Sequence, residues 1–500
     1  MASQSFGSIA GSDRERDLVE GLRATIEESS DWVKVIDVPV RAWFQEECVI
    51  EFGEGTLECL ALPYTVGSAT LDGAVAVQPG DLVEGSIAFA PLTYDEFGAS
   101  LTAAALHGRG VRALVFYDDY PGRRRVLVVT GAGEPTSLSS SPPPIPVLSV
   151  RKEDYMRLVK RGARRVTLTY KSRLEDSRGL ILLAGVNGRE GEIHVVAHHD
   201  GWFGGYSDSR APLAILAELA RALRGLGRAV TFASYTASEI GSPMLSPIHW
   251  GWGSRYLLSQ LDSKGLLESV SAALIFDYVF PKPIIARRHP AAAECAEGFT
   301  ISRSIGGFHD EFSYALHGIP YISFNSWSVA RHLYHTDADD GGEIRPHELA
   351  LAKGEAERVV RCLGSLHVDS GRVARLLADD MRRLPAEAKA LLAKLAGAGA
   401  GLRALLRASY SYYYLDPPGI LELGPLAELQ GIAGLMDELE RLEGRARLLG
   451  PDGRAIFDGH LSPDGAELAR AVLAQALLAL AVEYDKKLSA SIPPPRPNSA

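Results

Sequence analysis

From residue 179 to residue 324 the sequence repeats one pattern: short apolar runs separated by longer amphipathic or polar segments. The runs are LILLAGV, HVVA, AVTFASY, AALIF and IPYISF. They lack a strict apolar/polar alternation, so a strand made from any of them has two faces to bury. Between the second and third runs, APLAILAELARALRGLG has helical spacing, with Leu213, Leu216, Ala220 and Leu223 on one stripe. Strands that need cover on both faces, alternating with a helix that has one apolar stripe, predict an α/β fold: a mostly parallel central sheet flanked by helices. Sheets of that kind bind ligands beyond the carboxyl ends of their strands.

Polar residues collect at those ends. HVVA is followed by His198, His199 and Asp200, AVTFASYTA by Ser238 and Glu239, and AALIF by Asp277. The loop after IPYISF reaches YHTDAD with His335, and Asp208 opens the helix that begins near Arg210. Each residue has an ordinary reading. An aspartate before a helix is usually an N-cap, a single histidine is usually a hydrogen-bonded structural residue, and a carboxylate at a strand end is usually solvated. Taken as a set, with two of the histidines, two of the aspartates and the glutamate converging on one sheet edge, they are different, because burying them without partners is costly. A pair of divalent cations would satisfy them. Mixed imidazole and carboxylate donors suit Zn²⁺, with Co²⁺ or Mn²⁺ as substitutes.

The order of these residues is H-x-D, an aspartate ten residues after His198, a glutamate after the next strand, an aspartate at a strand end, and Y-H-T-x-x-D. It resembles metallopeptidase family 28, the co-catalytic zinc aminopeptidases and glutamate-carboxypeptidase-like enzymes. The resemblance covers roughly residues 175–365. It implies that His198 and Asp277 bind a first metal and that Asp208 bridges both. Glu239 and His335 would bind the second, and Asp200 would be the carboxylate that orients His198. DEFSYALHGIP resembles the family's loop before its last core strand, with Glu311 where the family often has a histidine. Residues 66–167 resemble a protease-associated domain, a common insertion that serves as a lid or access element. The implied activity is that of a zinc-dependent exopeptidase, with a peptide as substrate.

One position departs from the family. The family has two consecutive glutamates, the first being the general base and the second a metal ligand. Here the pair is Ser238-Glu239. A serine has no accessible conjugate base near neutral pH, and loss of a positioned base typically costs about 10²–10⁴-fold in rate. Glu311, Asp310, His309 and His199 are the candidates to replace it. A slow hydrolase and a metal-binding pseudoenzyme that serves as a scaffold for partners are the other outcomes. A metal-dependent amide hydrolase or acyl transferase acting on a small molecule is a further alternative. His199, in the x position of H-x-D, is expected to point away from the metals. In IGSPMLSPIHWGWGSRYL, the residues His249, Trp250 and Trp252 either reshape the pocket or pack a loop.

The chain has 500 residues, enough for several domains. The expected division is residues 1–65 (a helix and strands packing on the catalytic part), 66–170 (the lid-like α+β module), 171–368 (the catalytic domain), 369–490 (helical) and 491–500 (a disordered tail). Helical periodicity runs through LAELQGIAGLMDELERLEGRARLLG and GAELARAVLAQALLALAVEYDKKL; some larger members of the family it resembles carry a helical dimerisation domain at this place, so the resemblance implies a homodimer through these helices. The formal net charge of −10 argues against a nucleic-acid partner. No signal-like N-terminus or membrane-length apolar run is present in the sequence, so no membrane association and a cytoplasmic location are expected. Cys48, Cys59, Cys295 and Cys362 have no metal-ligand spacing. Cys48 and Cys59 could meet across a hairpin, but a reducing cytosol makes free thiols the default.

Overall fold

The computed structural model describes residues 7–92, 96–131, 142–188, 190–243, 250–279, 285–301, 309–326, 329–368, 445–449 and 455–460. The first helix, α1 (Asp13–Glu27), is capped by the Ser12 hydroxyl, which accepts from the Glu15 N–H at 3.2 Å. Its Val19, Leu22 and Ile26 are buried at helical spacing. Strand β1 (Trp32–Phe52) runs unbroken through the polar stretch Gln45–Glu46–Glu47. Its partner explains this. The strand Arg165–Val186, of 22 residues against 21, pairs with it from Gly185 opposite Trp32 to Thr167 opposite Glu51, carrying it across the polar interruption with one register shift after Gln45.

Strand β2 (Gly67–Ala76) leads into an α+β module. There β3 (Ile87–Pro91), α2 (Glu96–His107), β4 (Ala113–Tyr117), β5 (Val147–Val150) and α3 (Lys152–Lys160) follow in order, and β3, β4 and β5 are parallel. Strand β6 (Arg165–Val186) leaves the module antiparallel to β2, so these two strands form its neck. Gly162 ends α3 with φ +62°, a left-handed angle that glycine adopts at little cost.

The second half of β6 enters the central sheet. There β7 (Glu190–His198) is followed by α4 (Ala211–Ala222), β8 (Arg228–Tyr235), α5 (Trp252–Ser263), β9 (Val270–Phe276), α6 (Asp310–Leu316), β10 (Tyr321–Phe324) and α7 (Pro346–Ser365). The sheet order is β10-β9-β7-β8-β6, with β7, β8, β9 and β10 mutually parallel and β6 antiparallel to β8. Ile193, Val195 and Ala197 of β7 pack in one core with Leu213, Leu216, Ala220 and Leu223, the stripe read from the sequence. Fully burying a leucine-sized side chain contributes roughly 1.5–3 kcal/mol. This face anchors the strand whose last residue is His198.

Two expectations are corrected. All four cysteines are bridged, Cys48 to Cys59 and Cys295 to Cys362. Cys59 donates its N–H to the Cys48 carbonyl across the hairpin. Cys295, in the short helix Pro290–Ala296, meets Cys362 of α7, and that proximity has no signal in local sequence. Loop closure of these lengths is worth about 3 and about 4 kcal/mol respectively. The helical reading of residues 445–449 is also overturned. Arg445–Leu449 and Ala455–His460 pair antiparallel. The other C-terminal helices, the homodimer expected through them, and the tail lie outside the described residues. Among the described residues, no helix is long and apolar enough to cross a membrane.

Candidate metal centre

Parallel pairing brings the strand ends to one edge. His198 of β7 is level with Tyr235 of β8, and Ala197 with Phe276 of β9, so Asp277 emerges beside His198. Two groups of ligand-capable atoms result, each lying within 4.8 Å of one another: His198, Asp208 and Asp277, and Asp208, Glu239 and His335. His198 Nε2 is 3.8 Å from Asp208 Oδ1 and 3.7 Å from Asp277 Oδ1. His335 Nε2 is 3.8 Å from Asp208 Oδ2 and 3.1 Å from Glu239 Oε2. Asp208 belongs to both groups.

Asp208 sits in a π-helical turn, Tyr206–Arg210, ahead of α4, entered through Gly205 at φ +54°. It is not the N-cap that its position suggests. Both carboxylate oxygens are buried without a hydrogen-bond donor. The turn is held by Asp339 instead, whose carboxylate accepts from Ser207 N–H at 3.0 Å and from Ser207 Oγ at 2.7 Å. Burial, reinforced by the charge of Glu239, pushes the Asp208 carboxyl well above its ordinary range. A buried carboxylate without donors is costly, and a cation on each oxygen would meet that need. The donor set fits two divalent ions.

The surrounding groups orient these side chains. His198 Nδ1 is 2.9 Å from the Asp200 backbone carbonyl and 3.8 Å from its carboxylate, so the carbonyl does the orienting expected of the carboxylate. The Asp200 carboxylate accepts from the N–H groups of Ser238 at 3.1 Å and Glu239 at 2.9 Å. It thereby secures the turn in which Ala237 has φ +53°. Burial raises Asp200 to about 8 despite the opposing charge of His198. Glu239 also accepts from Trp202 Nε1 at 3.1 Å. Burial works against its ionisation, but His335 holds it at about 2. Asp277 accepts from His309 Nδ1 at 2.6 Å and from Asn325 Nδ2. Burial opposes its charge, and His309 and His198 together keep it below the usual range.

Of the four non-glycine residues described with positive φ, three lie in the metal-bearing loops: Phe203, Ala237 and His335. Each such conformation costs roughly 1–2 kcal/mol, and strain of this kind collects at functional sites.

The candidate bases separate. Ser238 Oγ donates to Asp310 Oδ2 at 2.8 Å, and Ser254 Oγ donates to Asp310 Oδ1 at 2.6 Å. Burial raises the Asp310 pKa. Both Glu311 oxygens are engaged elsewhere, with Arg287 Nη1 at 2.7 Å and Ser323 Oγ at 3.1 Å, so the structure places Glu311 in a buried ion pair. His199 has both ring nitrogens taken, by Ser234 Oγ at 2.8 Å and Glu15 Oε1 at 3.0 Å, and it points into the fold as expected. Trp252 is buried and donates to the Pro39 carbonyl at 2.9 Å, which is the loop-packing reading. His249 lies outside the described residues. Trp202 and Asn325 were not anticipated, and Asp339, the last residue of the Y-H-T-x-x-D pattern, was given no role. Asn325 had a signal, since it directly follows a core strand, whereas a tryptophan donating to a ligand has none.

This architecture is the fold of the M28 zinc peptidases. Among solved structures, a Peptidase M28 precursor from Shewanella amazonensis is similar at TM-score 0.58 and 18% identity, over 73% of this chain and 91% of that one. BSAP, a zinc aminopeptidase from Bacillus subtilis, is similar at TM-score 0.52 and 19% identity, over 70% of this chain and 89% of that one. No protein-family model and no curated protein matches the sequence.

Proposed function

We propose that the chain is a zinc-dependent exopeptidase of aminopeptidase type, acting on peptides through two metal ions. The observation that carries this reading is Asp208, buried, without a donor, and shared by two groups of ligand atoms. His198 and Asp277 would hold one ion, Glu239 and His335 the other, with Asp208 available to both. Bound ions of this kind supply an activated water and polarise a carbonyl.

The chain's own part is to place a proton acceptor. Ser238 cannot be one, but its hydroxyl is hydrogen-bonded to Asp310. Ser238 Oγ would pass its own proton to Asp310 Oδ2 and take one from the attacking water, and a carboxyl raised by burial is a better acceptor than one at its ordinary value.

The test is metal analysis of protein purified without chelator, joined to a panel of aminoacyl and N-blocked chromogenic substrates. Two equivalents of metal and turnover of unblocked substrates only are expected. Turnover of blocked substrates alone would move the reading to small-molecule amide hydrolysis. Asp310→Asn should lower kcat at least roughly 10²-fold with metal content unchanged. The serine at position 238 favours a second reading, a metal-binding scaffold. Full metal occupancy with no hydrolysis of any peptide would select it.

The two disulfides favour an oxidising compartment over the cytoplasm expected above. Alkylation of the native chain should label no cysteine until a reductant is added.

A further inference from the structure

Among the described residues, the α+β module meets the loop that carries His335 through one backbone contact. Residues 124–126, beyond β4, lie against residues 335–337. Val126 donates its N–H to the His335 carbonyl at 2.9 Å, and Asp337 donates its N–H to the Arg124 carbonyl at 3.1 Å. Arg125 and Thr336 form an antiparallel bridge between them. Side chains reinforce the contact. Arg124 N–H and Arg151 Nη2 reach the Asp337 carboxylate at 2.9 and 2.6 Å, and Arg123 Nη1 donates to the His332 carbonyl at 2.7 Å. At the centre, fully buried Arg125 donates through Nε to Asp118 Oδ2 at 2.8 Å and through Nη1 to the Tyr334 carbonyl.

His335 needs such support. A ligating histidine is usually oriented by a hydrogen bond from its other ring nitrogen. His198 has one through Nδ1, whereas His335 Nδ1 is buried without a partner. The ring stacks on Tyr334, with centroids 3.7 Å apart. Its backbone lies at φ +56°, a conformation that persists in a histidine only where the surroundings over-determine it. The module supplies those surroundings.

We propose that residues 118–126 of the α+β module are the positioning element of the second metal site. The Asp118–Arg125 pair and the Val126 N–H fix the backbone of His335, so that Nε2 faces Glu239 and Asp208. This rests on the two-ion reading above. It makes the module a buttress that the second ion requires and the first does not.

The experiment is Co²⁺ titration of the metal-stripped full-length chain, followed by visible absorption, for the wild type, Asp118→Asn and Leu158→Ala. Asp118→Asn keeps the shape of the side chain and removes the charge that holds Arg125. Leu158→Ala loosens the core of the same module, where Leu158 is fully buried. In Asp118→Asn the second equivalent should bind at least tenfold more weakly and the first unchanged. Leu158→Ala should bind both as the wild type does. Hydrogen exchange of the metal-free protein should accelerate at residues 332–337 in Asp118→Asn alone. If Asp118→Asn does not fold, Arg125→Lys, which keeps the charge and loses the fork, takes its place. Wild-type affinity for both equivalents in the Asp118 or Arg125 variant overturns the proposal. So does equal weakening in Leu158→Ala. A wild-type chain that takes up fewer than two equivalents overturns the two-ion reading, and the proposal with it.

Discussion

His198 and His335 approach the same aspartate from opposite kinds of structure. His198 ends a central strand whose ladder on both sides sets its height at the sheet edge, and its ring is held by the next-but-one residue. His335 lies in a loop, at an unfavourable backbone angle, against a segment from a distant part of the chain. A ligand on a sheet inherits the stability of the sheet. A ligand on a loop is only as well placed as the contacts that hold the loop.

The largest perturbation removes what the two halves share. Asp208→Asn should release both ions and abolish stabilisation by added Zn²⁺, which for a single site at a hundredfold excess over Kd is about 2.7 kcal/mol. Thermal shift with metal analysis reads this directly, and retention of two equivalents would refute a shared bridge. His198→Ala and His335→Ala then divide the centre. Each should leave about one equivalent, with different Co²⁺ spectra for the remaining site. Identical spectra would mean that one ion, not two, is bound.

Acid should probe the strand that carries the first half. Glu192 of β7 is held at about 2: burial opposes its charge, but His194 and hydrogen bonds from Thr231 and Ser269 outweigh it. A carboxyl lowered in the folded state contributes stability that is fully present above its unfolded pKa, near 4.5. That contribution is lost as pH falls from there towards 2. It amounts to no more than about 3 kcal/mol. Urea midpoints of metal-free protein should fall over that window, and Glu192→Gln should flatten the fall. The smallest effect belongs to Trp202→Phe, which removes the indole donor to Glu239. It should weaken the second ion about tenfold, in the range of lost supporting hydrogen bonds, and leave the first unchanged. Equal weakening of both ions would show that the halves are less separate than the geometry implies.

Much of the sheet was legible because a strand buried on both faces leaves a direct mark. LILLAGV, HVVA, AVTFASY, AALIF and IPYISF all lie in strands of the central sheet or close against their ends. The ligand-capable residues were legible for a related reason, since parallel strands deliver their ends to one edge and each carries its polar residue just past the last buried position. The Cys295–Cys362 bridge was not legible, because its partners are 67 residues apart with no pattern between them. Nor was the antiparallel pairing of Arg445–Leu449 with Ala455–His460, the first of which falls in a stretch of helical periodicity. Glu311 misled because its place in a motif says nothing about Arg287, which pairs with it from another segment.

Composition and periodicity by themselves determined the covered parallel sheet, the stripe on α4 and the gathering of polar residues at the strand ends, from which the family resemblance picked the metal set. Each follows from a local rule: apolar surface must be buried, and strand ends are where burial stops. Only the tertiary structure decided which groups serve those residues. It put the Asp200 carbonyl on His198, the Trp202 indole on Glu239, the Asp310 carboxylate on Ser238 and the α+β module on His335. These are hydrogen bonds of a few ångströms, most of them between distant parts of the chain, and their geometry exists only once the packed core has set the distances.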